Sequence, residues 1–169
     1  MKMRNIFSLL ITLVFAILFC SCKNVSPNPN AGYYKYDVIC INSEMDGSIT
    51  VKSYGMGKNR KDAVDQAMKN ALDAVMFKGI RAGNESECNL APLIYSEQVK
   101  KKNAKYFATF FSDKTKIYKS YVSAKKDVRF GRAKNAMLAD SQIVYEVILR
   151  VYVDNLRDKL IIDNIIPNR

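Results

Sequence analysis

The sequence predicts an α+β fold: a single two-layer domain in which an antiparallel or mixed sheet carries helices on one face, in the order ββααββα. Three observations support this prediction. A turn signal separates two strand-like runs, an alanine-rich segment has the spacing of one helix face, and a late run alternates apolar residues with others. Of the 169 residues, 49% are apolar and 25% are charged, which is typical of a folded globular protein, and no repeat or second domain is indicated.

The first two elements are predicted to form a β-hairpin. Residues 34–55 contain two short runs of β-branched and aromatic residues, and Asp46-Gly47 lies between them as a strong turn signal. We therefore expect one strand near residues 36–42 and a second near residues 48–54.

An amphipathic helix is predicted after the hairpin. Its apolar side chains recur at the spacing of one helix face: Ala63, Val64, Ala67, Met68, Ala71, Leu72 and Val75. Asn59 can cap its start and Gly79 can close its end. Because alanine is small, we expect the helix to lie close to the sheet, directly across the hairpin.

The G-x-G at residues 55–57 lacks the further glycine of a dinucleotide fingerprint, so we attribute it to a tight turn.

Four further elements follow in the sequence. Residues 96–113 predict a second helix with Val99 and four aromatic residues on its apolar side and three lysines outside. Residues 117–130 and 142–155 resemble strands, and the second has alternating core positions at Ile143, Tyr145, Val147, Leu149, Val151 and Val153. Residues 155–166 predict a short terminal helix that ends before Pro167.

The amino terminus is predicted to be a lipoprotein signal peptide, residues 1–21. Two cations precede an apolar run at residues 6–19, which is the layout of a secretory signal and is short for a membrane span. The end of this segment resembles a bacterial lipobox, because Cys22 follows a serine. Cys20 follows a phenylalanine, fits poorly, and is expected to leave with the signal. A plain signal peptide or an uncleaved anchor helix is the alternative.

Lipidation of Cys22 sets the expected organisation and location. We expect a covalent diacylglycerol and an N-acyl group on Cys22, and no other cofactor. Residues 22–33 predict a flexible tether, and residues 34–169 predict the globular domain. The surface-export signals of Bacteroidota lipoproteins carry acidic residues just after the cysteine, and none is present here. The resemblance to that class therefore implies an outer-membrane lipoprotein that is lipid-anchored and faces the periplasm.

The charge and the missing residue types limit the possible functions. The formal net charge is +11, and the chain contains neither histidine nor tryptophan. Without histidine there is no Ser-His-Asp or Cys-His nucleophile, no histidine acid or base, and hardly any catalytic zinc site. No spacing of carboxylates assigns an acid and a base, so no catalytic residue and no metal ligand is predicted. The excess of cations serves either solubility or attraction to anionic polymers and headgroups.

Two cysteines remain in the mature domain, Cys40 and Cys88. An oxidising compartment permits a disulfide between them, which would tie the first strand to the loop after the first helix. The alternative is a buried free Cys40 and an unrelated Cys88. The sequence leaves both interpretations open because it gives no distance between the two residues.

The mature domain resembles the amino-terminal domain of the flagellar-ring protein FlgT and related envelope lipoproteins. The resemblance rests on a strand that runs into "GMG", on the alanine-rich helix "KDAVDQAMKNALDAV", and on a closing strand "VILRVYVDNL". It spans most of residues 34–160 and implies an envelope assembly module without catalytic residues. The "KYFATFF" segment departs from the flagellar proteins, and a secretion apparatus such as a type VI system is the expected host.

The leading hypothesis is therefore a non-enzymatic structural or assembly subunit of a periplasmic or trans-envelope complex. Its partners would be the membrane, through the lipid, and other envelope proteins, with no nucleic acid and no small-molecule substrate identified. The predicted interface is the second helix, with Tyr106, Phe107, Phe110, Phe111, Lys100, Lys101 and Lys102, although core packing also explains most of its aromatic residues. The rival hypothesis is a stand-alone binder of an acidic ligand, such as cell-wall polymer or anionic lipid headgroups.

Overall fold

The computed structural model of the protein describes residues 37–80, 88–134 and 141–168, with the backbone alone at residues 129–134 and 141–142. Its strands are β1 (Ile39–Ser43), β2 (Ser48–Gly57), β3 (Val122–Lys134) and β4 (Ser141–Tyr152). Its α-helices are α1 (Arg60–Asp73), α2 (Glu97–Lys102), α3 (Ala104–Phe110) and α4 (Val153–Ile162). A π-helical turn, Ala74–Lys78, continues α1, and a 3₁₀ helix, Ile117–Tyr121, precedes β3.

The four strands form one antiparallel sheet in the order β1-β2-β4-β3. β4 lies between β2 and β3. The carboxy-terminal hairpin, β3-β4, therefore joins the β1-β2 hairpin through the pairing of β4 with β2. The predicted α+β class, the single domain and the antiparallel sheet are confirmed. The observed element order departs from ββααββα mainly because the predicted second helix is interrupted.

The first hairpin turns where the sequence predicts it. Gly47 has a φ of +73°, a conformation that glycine adopts without strain. The carboxylate of Asp46 accepts a hydrogen bond from the Ser48 hydroxyl at 2.6 Å and from the Ser48 backbone N–H at 3.2 Å. These local bonds satisfy the polar groups of the turn, as an Asx-type turn requires.

Helix α1 is capped as predicted and packs on β2 and β4. The Asn59 side chain accepts a hydrogen bond from the Asp62 backbone N–H at 3.0 Å, which satisfies one of the free donors of the first turn. Gly79 follows the π-helical turn with a φ of +74°. The small face of the helix, Ala63, Ala67 and Ala71, is completely buried. The helix therefore crosses the centre of the sheet, whereas we had expected it over the β1-β2 hairpin.

The G-x-G glycines lie in β2 and do not form the tight turn that the sequence suggested. A side chain at Gly55 would collide with backbone atoms of Ala63 and Ala67, and one at Gly57 would collide with the start of α1. The Ser53 hydroxyl also reaches the helix and donates to the Ala67 carbonyl at 3.0 Å. The glycines are required because the helix backbone lies directly on the strand backbone.

The predicted second helix is two short helices that meet at Asn103. The Asn103 side chain donates to the Val99 carbonyl at 2.9 Å, so it competes with the continuing helix ladder.

The predicted strand at residues 117–130 begins as the 3₁₀ helix and becomes extended only at Val122. The carboxy-terminal helix starts at Val153, which the alternation had assigned to β4, and it ends before Pro167 as predicted.

The targeting predictions concern residues outside the described part of the chain. The signal peptide at residues 1–21, the tether at residues 22–33 and the lipidated Cys22 all lie there, as does Cys20. Among the described helices, none is long and apolar enough to cross a membrane.

Candidate functional site

Cys40 and Cys88 are joined by a disulfide in the structure. Their Cα atoms are 5.7 Å apart and their sequence separation is 48 residues. Both cysteines are nearly inaccessible and belong to the main core cluster. The bond ties strand β1 to the segment that follows α1 and leads into residues 90–96.

The three phenylalanines of the suggested interface take the other role that the sequence allowed for its aromatic residues, which is core packing. Phe107, Phe110 and Phe111 are buried in the core cluster. Phe107 makes an edge-to-face contact with Phe77, with ring centroids 5.0 Å apart, and Phe110 makes one with Phe111 at 5.1 Å. Such pairs contribute to core stability beyond the area they bury. All three rings are therefore nearly inaccessible from the surface in this structure.

The remaining members of that predicted interface differ from one another. Lys101 and Lys102 are exposed. Lys100 is drawn inward: its Nζ lies 4.1 Å from the centroid of the Phe77 ring and 3.6 Å from Asp73 Oδ1. Lys78 Nζ lies 3.2 Å from the other Asp73 oxygen. Asp73 is buried, and neither oxygen accepts a well-aligned hydrogen bond from the described residues, so two ammonium groups balance its charge.

Tyr106 is half-buried and is engaged within the domain. Its hydroxyl donates to Asp163 Oδ2 at 2.6 Å, and Lys159 Nζ donates to Asp163 Oδ1 at 3.0 Å. Burial acts to raise the pKa of Asp163, but these two hydrogen bonds outweigh it and hold the pKa below its ordinary value. Burial, followed by the hydrogen bond to Asp163, raises the pKa of Tyr106. This cluster connects α3 with the end of α4.

The sheet face that points away from α1, here called the outer face, is the first candidate site. Strand register places three of its side chains in one row: Lys52 of β2, Ile148 of β4 and Lys126 of β3. Ile39 of β1 extends that row beside Lys52. No described helix contributes to this face, because the helices pack against the opposite face with the core cluster.

The outer face is more apolar than a solvated sheet face normally is. Sheets with one solvated face usually alternate apolar inward and polar outward residues. In β4, Val147, Leu149 and Val151 fill the core, yet Val144 and Ile148 point outward. In β3, Val128 is 52% exposed. The sequence carried this signal, because β4 reads as a nearly continuous apolar run of the kind found in strands covered on both faces.

The charges of the outer face are unevenly paired. Lys125 Nζ lies 3.4 Å from Glu44 Oε1 and 3.0 Å from the Thr50 hydroxyl, and Arg150 forms an ion pair with Asp46 at 2.5 Å. Lys52 and Lys126 have no carboxylate partner within the described part of the chain. The centre of the face is therefore an apolar side chain, Ile148, that lies between two cations, Lys52 and Lys126.

The second candidate site is an open groove of about 570 Å³ in the helical layer. One wall is the segment before α2, and the other is α4 with the residues that follow it. The lining residues are Leu90, Ala91, Pro92, Leu93, Ile94, Tyr95, Ser96, Val99, Arg157, Ile161, Ile165, Ile166 and Pro167. Arg157 is the only charged residue among them. Sequence patterns could not have revealed this groove, because its walls are about sixty residues apart in the chain.

Both walls of the groove are held by internal bonds. On one side the N–H groups of Leu93 and Ile94 donate to the carbonyls of Val75 and Met76 at 3.1 and 2.8 Å. On the other side Asn164 has a φ of +56°, which turns the chain after α4 back onto the helix. The groove is therefore a preformed feature of the fold.

The described residues offer no assembled metal centre. Within them, no group of three or more cysteine, aspartate or glutamate side chains is placed to hold a metal ion. Some of their ionisable side chains form ion pairs that link elements, such as Arg60 with Asp127 and Lys69 with Asp113. Comparisons with protein-family models, curated proteins and solved structures found no match to the chain.

Proposed function

We propose that the protein is a non-enzymatic outer-membrane lipoprotein that acts as a structural or assembly subunit of a periplasmic or trans-envelope complex, for example a secretion apparatus such as a type VI system. The observation that carries this proposal is the outer face of the sheet. Its central row places Ile148 between Lys52 and Lys126, and Val128 is exposed nearby. Apolar side chains on a sheet face are the usual mark of a surface that a partner covers.

The chemistry of the face indicates the partner. An apolar patch flanked by Lys52 and Lys126 is complementary to a protein surface that has an apolar centre and carboxylates around it. The lipid on Cys22 would hold the domain at the membrane and raise its concentration near such a partner. These features favour docking on the sheet over docking on the predicted second helix, whose phenylalanines are buried.

Site-specific photocrosslinking in intact cells tests the proposal. A photoreactive residue at Val128 should form a crosslink to one defined envelope protein, and the same residue at Ile162 should not, although Ile162 is 73% exposed. Adding Ile148→Lys should abolish the crosslink, and the purified partner should bind the full chain directly. Lys101→Glu with Lys102→Glu is the matched control, because it reverses two exposed cations outside the sheet.

The rival function, binding of cell-wall polymer or anionic headgroups, is favoured by the exposed lysines of α2. Lys101 and Lys102 have no ion-pair partner among the described residues, and the whole chain carries a formal charge of +11. This function predicts binding to anionic vesicles or cell wall that weakens steeply with salt. If such binding appears and no protein crosslinks at Val128, the assembly proposal is wrong.

A further inference from the structure

The groove between the segment before α2 and the end of α4 has the chemistry of a hydrocarbon site. Its walls are mostly aliphatic, and its floor includes Ile94, which is nearly inaccessible. Its volume of about 570 Å³ falls within the range of about 300–1,000 Å³ that is usual for sites of single small ligands. Burying one methylene group contributes roughly 0.8 kcal/mol to binding, so the binding free energy of a hydrocarbon chain becomes more favourable with each carbon that the groove covers.

The backbone of the walls favours a hydrocarbon over an extended peptide. A peptide that binds as a strand needs free N–H and carbonyl groups along the groove. The N–H of Leu90 instead donates to the Ile80 carbonyl at 2.9 Å, and those of Leu93 and Ile94 donate to carbonyls of the π-helical turn that continues α1. Across the groove, the N–H groups of Ile165 and Ile166 both donate to the Leu160 carbonyl. A ligand with no backbone to satisfy fits these walls better.

Arg157 gives the groove one polar end. Its Nη1 donates to Asp154 Oδ1 at 2.9 Å, and both side chains are about half exposed, so this ion pair is weak. A guanidinium group has five donor hydrogens, and one such bond leaves donors for a second carboxylate. An anionic headgroup beside Arg157 would place its chain along the aliphatic walls.

We propose that this groove binds a long-chain fatty acid, with the hydrocarbon chain along Leu93, Ile161 and Ile165 and the carboxylate at Arg157. The proposal does not rest on the assembly function, because the groove shares no residue with the outer face of the sheet. It gives the domain a ligand site that is separate from its protein-docking surface.

Fluorescence quenching of the full chain in phosphatidylcholine vesicles tests the site. The chain contains no tryptophan, so Tyr95→Trp introduces a single reporter at a lining residue that is 68% exposed. Titration with 9,10-dibromostearic acid should quench this reporter saturably. Ile162→Trp is the matched reporter, since it follows Ile161 in α4 but does not line the groove, and it should show no saturable quenching.

Two groups of variants separate the chain site from the headgroup site. In the Tyr95→Trp background, Ile161→Phe should fill the groove and remove the saturable quenching, and Leu93→Phe provides the same test if the first variant melts early. Arg157→Gln should weaken binding of the acid about tenfold and leave its methyl ester unaffected, because a hydrogen bond to a charged group is lost. Lys101→Gln, which removes a cation elsewhere, should change neither affinity.

Specific outcomes would overturn the proposal. Equal, non-saturating quenching of both reporters would show that the acid only enters the bilayer. Equal affinity of acid and ester, unchanged by Arg157→Gln, would remove the headgroup assignment. Absence of saturable quenching of the Tyr95→Trp reporter would show that the groove does not hold the acid.

Discussion

Tyr106 donates its hydroxyl hydrogen to Asp163 across 2.6 Å and so connects helix α3 to the residue at which α4 ends. Lys159 contacts the other oxygen of the same carboxylate from one turn earlier in α4. The carboxylate of Asp163 therefore binds one side chain from α3 and one from α4. The arrangement explains why Tyr106, which the sequence suggested for an interface, belongs to the domain's own structure.

The acid dependence of stability should report this carboxylate. The pKa of Asp163 is lower in the folded protein than in the unfolded chain, so its contribution is complete above the unfolded value of about 4 and is lost as the pH falls through the folded pKa. Asp163→Asn should therefore cost about 1 kcal/mol near neutral pH. Urea unfolding from pH 7 to pH 2 should show the gap to the wild type closing in acid. A gap that stays constant with pH would contradict this assignment.

A second pH effect is expected in alkali, at Tyr118. Burial, followed by the nearby carboxylates of Asp65 and Asp113, raises the pKa of this phenol above its ordinary value. The unfolded chain then loses the proton first, so stability is complete below about pH 10 and falls as the pH rises beyond it. Tyr118→Phe should reduce the alkaline loss of unfolding free energy, measured by urea titrations from pH 8 to pH 11. Tyr95→Phe, at an exposed phenol, should leave the loss unchanged.

The close contact between α1 and β2 should make Gly55 intolerant of any side chain. The Cβ of Gly55→Ala would collide with the Ala63 carbonyl and the Ala67 backbone nitrogen, and neither atom can move without shifting the helix. We expect a loss of roughly 2–3 kcal/mol, which is at the upper end for overpacking a core. The neighbouring Met56→Leu is the control, because position 56 points to the outer face, and it should cost less than about 1 kcal/mol. Thermal and urea unfolding followed by circular dichroism measure both.

The sequence predicted those elements whose signals are local. Asn59 and Asp46-Gly47 act through contacts within a few residues, and the alanines of α1 recur at a helical spacing, so the cap, the turn and the helix were placed correctly. The break at Asn103 was missed although its hydrogen bond to Val99 is local, because an asparagine within a helical pattern does not by itself end a helix. The G-x-G was assigned to a turn because a sequence does not show which backbone lies above a strand.

The candidate sites were less accessible from the sequence. Phe107, Phe110 and Phe111 looked too numerous for one buried stripe, but Phe107 and Phe110 lie in α3, Phe111 caps it, and all three reach the core cluster. The apolar run of β4 in the sequence indicated an apolar outer face. The row of Lys52, Ile148 and Lys126 across three strands could be recognised only from the strand register. The groove depends on tertiary structure entirely, since Leu93 and Ile165 meet only in the fold.

The proposed lipid attachment is tested at the two cysteines near the amino terminus, Cys20 and Cys22. Cys22→Ser should release or mislocalise the protein, because the lipid-accepting thiol is lost, whereas Cys20→Ser should have little effect. Membrane fractionation, together with metabolic labelling by a palmitate analogue, measures both outcomes. If Cys20→Ser abolishes labelling and Cys22→Ser does not, the cleavage site lies two residues earlier and the tether is longer.

The disulfide between Cys40 and Cys88 should stabilise the domain and hold one wall of the groove. A bond that closes 48 residues of chain restricts the unfolded state, which is worth about 2–4 kcal/mol. Cys40→Ser, Cys88→Ser and the double variant should therefore lose the same stability, because each removes the same bond, and a reducing agent should lower the stability of the wild type alone. Urea unfolding with and without reductant measures this. Additive losses in the double variant would mean that the two sulfur atoms contribute separately, as buried thiols, and not through a shared bond.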